Sequence, residues 1–179
     1  MFAPMVIILL VNLISLGESP LFIQSRPGKN LKAFKLIKFK TMKTKIDQSG
    51  ALLQDNLRVT RFGSFLRKSS LDELPQIFNI MMLQMSFIGP RPLLHEYEKH
   101  YNSEQIRRHE VKPGITGLAQ INGRNFLSWE EKFQLDVEYV NKISLKLDIF
   151  IFFSTLIYLF KTNSVNDVRE EIIPPFKND

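Results

Sequence analysis

The chain has 179 residues, 44% of them hydrophobic, with 24 Lys or Arg against 18 Asp or Glu, a formal charge of +6 and no cysteine. That length supports one good hydrophobic core and a single compact domain. Without cysteine there are no disulfides, thiolate nucleophiles or Cys-based zinc or iron–sulfur sites, so any chemistry has to come from carboxylates, bases and hydroxyls.

Met5 to Ile14 is a compact apolar run, too short to span a bilayer of about 30 Å as a helix. No Lys or Arg precedes it and no small-residue cleavage site clearly follows, which argues against a secretory signal peptide. It reads either as a buried core helix or as a helix that enters a membrane without crossing it. Next, Leu21-Phe22-Ile23-Gln24 and Phe34 to Phe39 flank Arg26-Pro27-Gly28-Lys29-Asn30, which predicts a β-hairpin closed by a Pro-Gly turn and displaying Lys35, Lys38 and Lys40. Residues 41–60 read as a polar, irregular connection broken near Gly50, with a short helix allowed over Ala51 to Leu57.

Charge is concentrated here. Arg26 to Lys68 holds twelve Lys or Arg against Asp47 and Asp55, a local +10 within a total of +6, so the remainder carries −4. Such a block suits a solvated face, an anionic membrane surface, nucleic acid or a phosphorylated ligand, and charge alone does not choose among them.

At Ser70-Leu71-Asp72-Glu73-Leu74-Pro75 two adjacent carboxylates stand at a predicted helix start within this basic protein. Apolar residues then recur at Leu74, Ile77, Phe78, Met81, Met82 and Met85, a helical spacing. Pro75 lacks a backbone N–H and belongs in the first turn, which confines Asp72 and Glu73 to the N-cap or first-turn positions. There the positive end of the helix dipole favours ionised Asp72, and free N–H groups favour a phosphate nearby. A blander alternative is a capping box, since Glu73 follows Ser70 by three residues.

Gly89-Pro90-Arg91-Pro92 forms a stiff, extended loop, because Pro92 disfavours helix at Arg91 and both prolines fix their own φ. A guanidinium held this way loses little entropy on forming a bidentate phosphate contact, although a rigid turn with a solvated Arg explains the motif equally well. Leu93 to His109 reads as a charged surface helix carrying His95, His100 and His109, whose separations do not match two metal ligands on one helical face. Pro113-Gly114-Ile115-Thr116-Gly117 and Asn122-Gly123-Arg124-Asn125 are turn-rich clusters whose glycines allow close backbone approach to a ligand. Trp129 reads as packing more readily than as a base-stacking ring. Ile149 to Phe160 is a second short apolar run, interfacial or core. The tail after Thr162, with Pro174-Pro175, looks loosely held.

Arg26-Pro-Gly28, Lys38-Phe-Lys40-Thr-Met42, Ser70-Leu-Asp-Glu-Leu74, Met85-Ser-Phe-Ile-Gly-Pro-Arg-Pro92, Pro113-Gly-Ile-Thr-Gly117, Asn122-Gly-Arg124 and Leu135-Asp136 fall in the order of one family's signatures. Together they resemble the bacterial sugar transferases, also called monotopic phosphoglycosyl transferases or undecaprenyl-phosphate sugar phosphotransferases, from about Ala3 to Leu159. The resemblance implies transfer of a sugar-1-phosphate from a UDP-sugar to polyprenyl (undecaprenyl) phosphate with release of UMP, the first membrane step of a surface glycan. It casts Asp72 as nucleophile beside Glu73, with Mg²⁺ on Glu73. Lys38, Arg67, Arg91, Arg124 and Asp136 become substrate or phosphate contacts, Asp136 either directly or by orienting a Lys or Arg.

The expected fold is mainly helical α+β: a single compact domain with a small β-hairpin and interfacial amphipathic helices. Residues 1–18 form a membrane-associated N-terminal helix, 19–162 the catalytic domain and 163–179 a tail. Met1-Phe2-Ala3-Pro4 resembles the break point of the family's re-entrant helix, so the expectation is a re-entrant helix truncated to its second arm, through a misassigned start, a truncated gene or an anchor that works as a half. Localisation is expected at the cytoplasmic face of the bacterial inner membrane, in contact with lipid and not spanning it, where the Lys and Arg excess fits the positive-inside tendency. Downstream glycosyltransferases and a second copy are allowed partners. Nucleic acid is not expected, because the aromatics around Lys35 to Lys40 are too few for a base-stacking platform. The rival reading is a non-catalytic basic module for peripheral membrane or nucleic-acid binding, which explains the charge but not Asp72. No local pattern reports the stereochemistry of the sugar.

Overall fold

A computed structural model of the chain describes residues 2–123, 126–162 and Phe176. It is α+β, as expected, and its contacts group into two compact units: Met1–Gln24 with Leu36–Phe78, and Ser25–Lys35 with Asn79–Asp179.

The first unit opens with α1 (Phe2–Leu16), whose inward positions Met5, Ile8, Leu9, Asn12 and Leu16 follow the i, i+3, i+4, i+7 rhythm of one helical face. Asn12 is fully buried and donates from Nδ2 to the carbonyls of Pro20 (3.1 Å) and Lys40 (2.8 Å), tying the helix to both strands that follow. The outward face of α1 is apolar, with Val6, Ile7, Leu10, Val11, Leu13 and Ile14 exposed. Strands β1 (Leu21–Pro27) and β2 (Ala33–Phe39) make the hairpin. Its connection differs from a Pro-Gly turn: Pro27 still belongs to β1, and the reversal is made by a 3₁₀ turn at Lys29–Leu31 with Asn30 and Leu31 at φ 54° and 60°. Asn tolerates that left-handed region, whereas Gly28 has φ −104°.

The short helix α2 (Asp55–Arg58) lies at the end of the irregular connection, and α3 (Arg61–Lys68) follows, capped by Thr60, whose side chain accepts from the Gly63 N–H at 2.9 Å. Helix α3 runs so close to the Thr41 backbone that a Cβ on Gly63 would lie 2.0 Å from the Thr41 carbonyl oxygen. The core of this unit is Met5, Phe39 and Leu66, with Ile8, Leu9, Leu21, Phe62, Leu71, Leu74 and Ile77 around it. Each of the two fully buried side chains, Phe39 and Leu66, contributes roughly 1.5–3 kcal/mol relative to exposure.

The long helix expected from Leu71 is broken. A 3₁₀ turn covers Leu71–Glu73, and α4 is limited to Gln76–Met81. The apolar spacing misled because only part of it faces inward: Leu74 and Ile77 pack on the core and Met85 is buried, but Phe78, Met81 and Met82 are exposed, whereas Gln76 and Asn79 are buried.

In the second unit, β3 (Ser86–Ile88) and β4 (Gly114–Thr116) form a parallel pair in register Ser86↔Gly114 and Ile88↔Thr116, a second sheet that the sequence reading lacked. Gly114 is required at this crossing, since a Cβ there would lie 2.2 Å from the Gly89 nitrogen. The charged segment is not one helix but two 3₁₀ turns, His95–His100 and Gln105–Glu110, separated by Tyr101-Asn102-Ser103-Glu104. Asn102 stops the first turn and starts the second, its Oδ1 accepting from the backbone N–H of Glu104 and Gln105 at 2.9 and 2.8 Å. Helices α5 (Leu118–Ile121), α6 (Trp129–Lys142) and α7 (Leu145–Thr162) complete the unit. A capping box occurs here, at Ser128 and Glu131, rather than at Ser70 and Glu73.

The core of the second unit is Ile88, Leu118, Tyr139 and Ile151, with Val111, Ile121, Leu135 and Leu147 packed on it. Beside it Tyr97, Tyr101, Trp129 and Phe133 surround Phe176, with ring centroids 4.8–6.1 Å from that ring. Phe176 is 3% exposed; the rest of the tail, where a loosely held segment was expected, lies outside the described residues. Trp129 is therefore a packing residue. Helix α7 buries Ile151 and exposes Ile149, Phe150, Phe152, Phe153 and Ile157. Among the described residues no helix is long and apolar enough to cross a membrane.

Candidate active site

Asp72 and Glu73 sit in the 3₁₀ turn that α3 packs against. Ser70 enters the turn at φ 55°, an uncommon conformation for a non-glycine residue, and its side chain makes no cap. The capping-box reading of Ser70 and Glu73 therefore has no support in the geometry. The dipole argument also weakens, because one 3₁₀ turn and a helix of six residues carry little aligned dipole. What remains is burial: Asp72 is 8% exposed, at the end of a helix whose last turn carries Arg67 and Lys68, and Glu73 beside it is half-buried.

Two further expected residues lie in the same unit. Arg67 donates from Nε to the Thr41 hydroxyl at 2.9 Å, so its guanidinium is positioned by the segment that Gly63 lets α3 approach. Lys38 is half-buried and stands 5.3 Å from the centroid of the Phe22 ring, across the hairpin. Its neighbour in the motif, Lys40, has a separate task. Its Nζ pairs with Glu18 at 2.8 Å, and Glu18 also accepts from the Thr44 N–H and hydroxyl, which holds the Glu18 carboxyl down at about 2.

The second unit contains Arg91 and Asp136. Arg91 is exposed at the tip of the Gly89–Pro92 loop, and the loop backbone is tied down because the Gly114 N–H donates to the Pro90 carbonyl at 3.0 Å. Arg26, at the end of β1, lies close enough that Arg91 acts on it: burial first, and then the charge of Arg91, lowers its pKa. Tyr97 and Glu96 act on Arg26 in the opposite sense. Asp136 is buried against Arg108, whose Nε and Nη2 both donate to Asp136 Oδ2 at 3.0 and 2.7 Å. Burial raises the Asp136 carboxyl and the Arg108 charge opposes it; burial also works against the Arg108 guanidinium, but Asp136 and Tyr101 hold it above its ordinary range. With two N–H donors on one oxygen from a group that keeps its proton, the pair is ionised. Asp136 thus orients an arginine in this structure. Arg124 lies outside the described residues.

The sequence reading missed Arg108 and took all three histidines as surface residues. His109 is buried and donates from Nδ1 to the Gly28 carbonyl at 3.2 Å. Burial, with Arg108 adjacent, lowers its pKa from 6.5 to about 4 and leaves it neutral. No side-chain signal distinguished these two from Arg107, which is half-buried and paired with Glu104 and Glu110.

The first unit thus carries an acidic pair after a basic helix end, and the second unit carries a stiff arginine loop. The family model for bacterial sugar transferases matches residues 1–162, and the chain belongs to that family. It is 52% identical over 136 residues to the "Uncharacterized sugar transferase EpsL" of Bacillus subtilis (strain 168), covering 76% of this chain and 67% of that protein. It is 43% identical over 155 residues to the "Galactosyl transferase CpsE" of Streptococcus agalactiae serotype III (strain NEM316), covering 78% of this chain and 34% of the relative. With the "UDP-glucose:undecaprenyl-phosphate glucose-1-phosphate transferase" of Xanthomonas campestris pv. campestris the identity is 39% over 166 residues, covering 86% and 34%. The chain therefore spans about a third of the length of the last two relatives.

Proposed function

We propose that this chain transfers a sugar-1-phosphate from a UDP-sugar to polyprenyl (undecaprenyl) phosphate through a covalent intermediate on Asp72, releasing UMP. The observation that carries the reading is Asp72 itself: a buried carboxylate in a turn entered through a left-handed serine, beside Glu73 and against a helix ending in Arg67 and Lys68. The names of relatives from Xanthomonas campestris and Klebsiella pneumoniae support the donor and acceptor classes.

One Asp72 oxygen attacks the β-phosphorus of the donor. The P–O bond to UMP breaks, its electron pair departs with UMP, and the sugar-1-phosphate stays on Asp72 as an acyl phosphate. A polyprenyl phosphate oxygen then attacks the same phosphorus and the carboxylate leaves with its electrons, giving polyprenyl-diphosphate-sugar and free Asp72. Splitting one displacement into two lets a soluble donor and a lipid acceptor use the same nucleophile in turn. A carboxylate meets strong repulsion from a diphosphate, so cations must neutralise it; Lys38 and Arg67 share a unit with Asp72, and the family resemblance assigns the same task to Arg91 and Arg124. Asp136 acts through Arg108.

Mg²⁺ fits the donor set. Glu73 would hold it, since this ion takes one or two carboxylates together with substrate phosphates. Among the described residues no group of three or more His, Cys, Asp or Glu is placed to cage an ion without such phosphates. Bound there, it supplies charge neutralisation to the diphosphate. The exposed apolar residues of α1 and of α7 support contact with lipid; the Lys and Arg excess fits a monotopic position at the cytoplasmic face of the inner membrane, and the product would start a surface glycan.

The test is purified full-length chain with Mg²⁺, a panel of UDP-sugars and undecaprenyl phosphate. UMP release by the parent, lost in Asp72→Asn by a factor of at least about 10³, supports the enzyme, and the donor used identifies the sugar. Release that is unchanged in Asp72→Asn refutes the nucleophile, and no release with any donor favours a binding module.

A further inference from the structure

Arg91 projects its side chain outward while its backbone carbonyl faces a buried guanidinium, and we infer that Arg108 is the positioning residue that sets where Arg91 presents its charge. This inference rests on the reading of Arg91 as a phosphate contact. Arg108 is 3% exposed and makes contacts on each of its three nitrogens. Nε and Nη2 donate to Asp136 Oδ2, Nη1 donates to the Tyr101 hydroxyl at 3.1 Å, and Nη2 donates to the Arg91 carbonyl at 2.7 Å. The rings of Tyr101 and Phe133 cover it, 5.8 and 5.5 Å from the guanidinium carbon. A guanidinium is a rigid planar fork, so once Asp136 and the two rings fix its plane, the position of the Arg91 carbonyl follows from it.

The tether acts on a loop that is held at two successive points. The Gly114 N–H holds Pro90 from one strand, and Arg108 holds the next carbonyl from α6 by way of Asp136. Two consecutive carbonyls are thus fixed by different elements, which holds the backbone from which the Arg91 side chain projects. Lysine at position 108 retains the charge opposite Asp136, but its single ammonium has no fork with which to hold Asp136, Tyr101 and Arg91 at once.

The experiment is a double-mutant cycle read by calorimetric titration of the full chain with UMP, which is common to every UDP-sugar. Arg108→Lys is expected to weaken UMP binding about tenfold, since small displacements of a positioning group cost that much or more. In the Arg91→Ala background the same change should cost nothing further. Near-UV circular dichroism establishes that each variant is folded; if Arg108→Lys is not, Tyr101→Phe, which frees one nitrogen of the fork, takes its place with an expected loss of about threefold. Losses that multiply in the double variant, or Arg108→Lys binding UMP as tightly as the parent, overturn the inference and leave the phosphate reading intact. Equal affinity of the parent and Arg91→Ala refutes the phosphate reading, and this inference with it.

Discussion

Replacing Gly63 by alanine sets two effects of opposite sign against each other. Within a helix, Gly→Ala is favourable by about 1 kcal/mol. Against that, the new Cβ would lie 2.0 Å from the Thr41 carbonyl oxygen and 2.7 Å from its carbon, where an ordinary carbon–oxygen approach is about 3.3 Å. Helix α3 and the Thr41 segment therefore have to separate by more than an ångström. Overpacking of that kind costs about 1–3 kcal/mol. The separation also stretches the Thr60 N–H to Thr41 carbonyl bond at 3.2 Å and the Arg67 to Thr41 hydroxyl bond at 2.9 Å, each contributing about 1 kcal/mol. The net expectation is a loss of about 2–4 kcal/mol, a large part of a domain stability of about 5–15 kcal/mol. Urea unfolding in mild detergent should show a midpoint lowered by about 1–2 M, and UMP release should fall because Arg67 loses its anchor. An unchanged or raised midpoint would mean that helix propensity outweighs the contact, and the account of how α3 positions Arg67 would be wrong.

His109 gives a pH dependence. Its pKa is about 4 folded against 6.5 unfolded, so the unfolded chain takes up the proton first, and stability is full above pH 6.5 and declines as pH falls from 6.5 toward 4. Between pH 6.5 and 5 the loss should be about 1.5 kcal/mol, and it should disappear in His109→Gln; urea midpoints at both pH values for both proteins check it. Phe176→Ala should cost about 3 kcal/mol and red-shift the emission of Trp129, the one tryptophan, whose ring lies 5.6 Å from Phe176. Unchanged emission would mean that Phe176 does not occupy that cluster in solution.

The parts of this molecule legible in its sequence are those where one residue type has a narrow set of uses. Pro75 still marks a helix start, although the helix begins one residue later, and Gly89-Pro90-Arg91-Pro92 is the stiff loop its prolines imply. The hairpin strands were visible from their β-prone runs. What failed were inferences from periodicity where apolar residues face outward. Met81 and Met82 continue a helical rhythm yet are exposed, and the polar Gln76 and Asn79 take the inward places, Asn79 donating to the Lys35 carbonyl at 2.7 Å. The β3–β4 pair was invisible because each strand has three residues and they are joined across a long connection. Arg108 was hidden for a related reason: its partners Asp136, Tyr101 and Arg91 come from three separate segments, so no local pattern records the cluster.

Helix α1 exchanges the usual places of oil and water. Its amide residue, Asn12, is fully enclosed, while aliphatic groups at Val6, Leu10, Leu13 and Ile14 form the outer coat. The attachment of α1 to its own unit thus depends on Met5, Ile8, Leu9, Asn12 and Leu16 and not on that coat. Recoating the outer residues with glutamate, lysine and glutamine leaves the inward set in place, which separates greasiness from architecture and lets the lipid-contact role of this face be tested apart from folding.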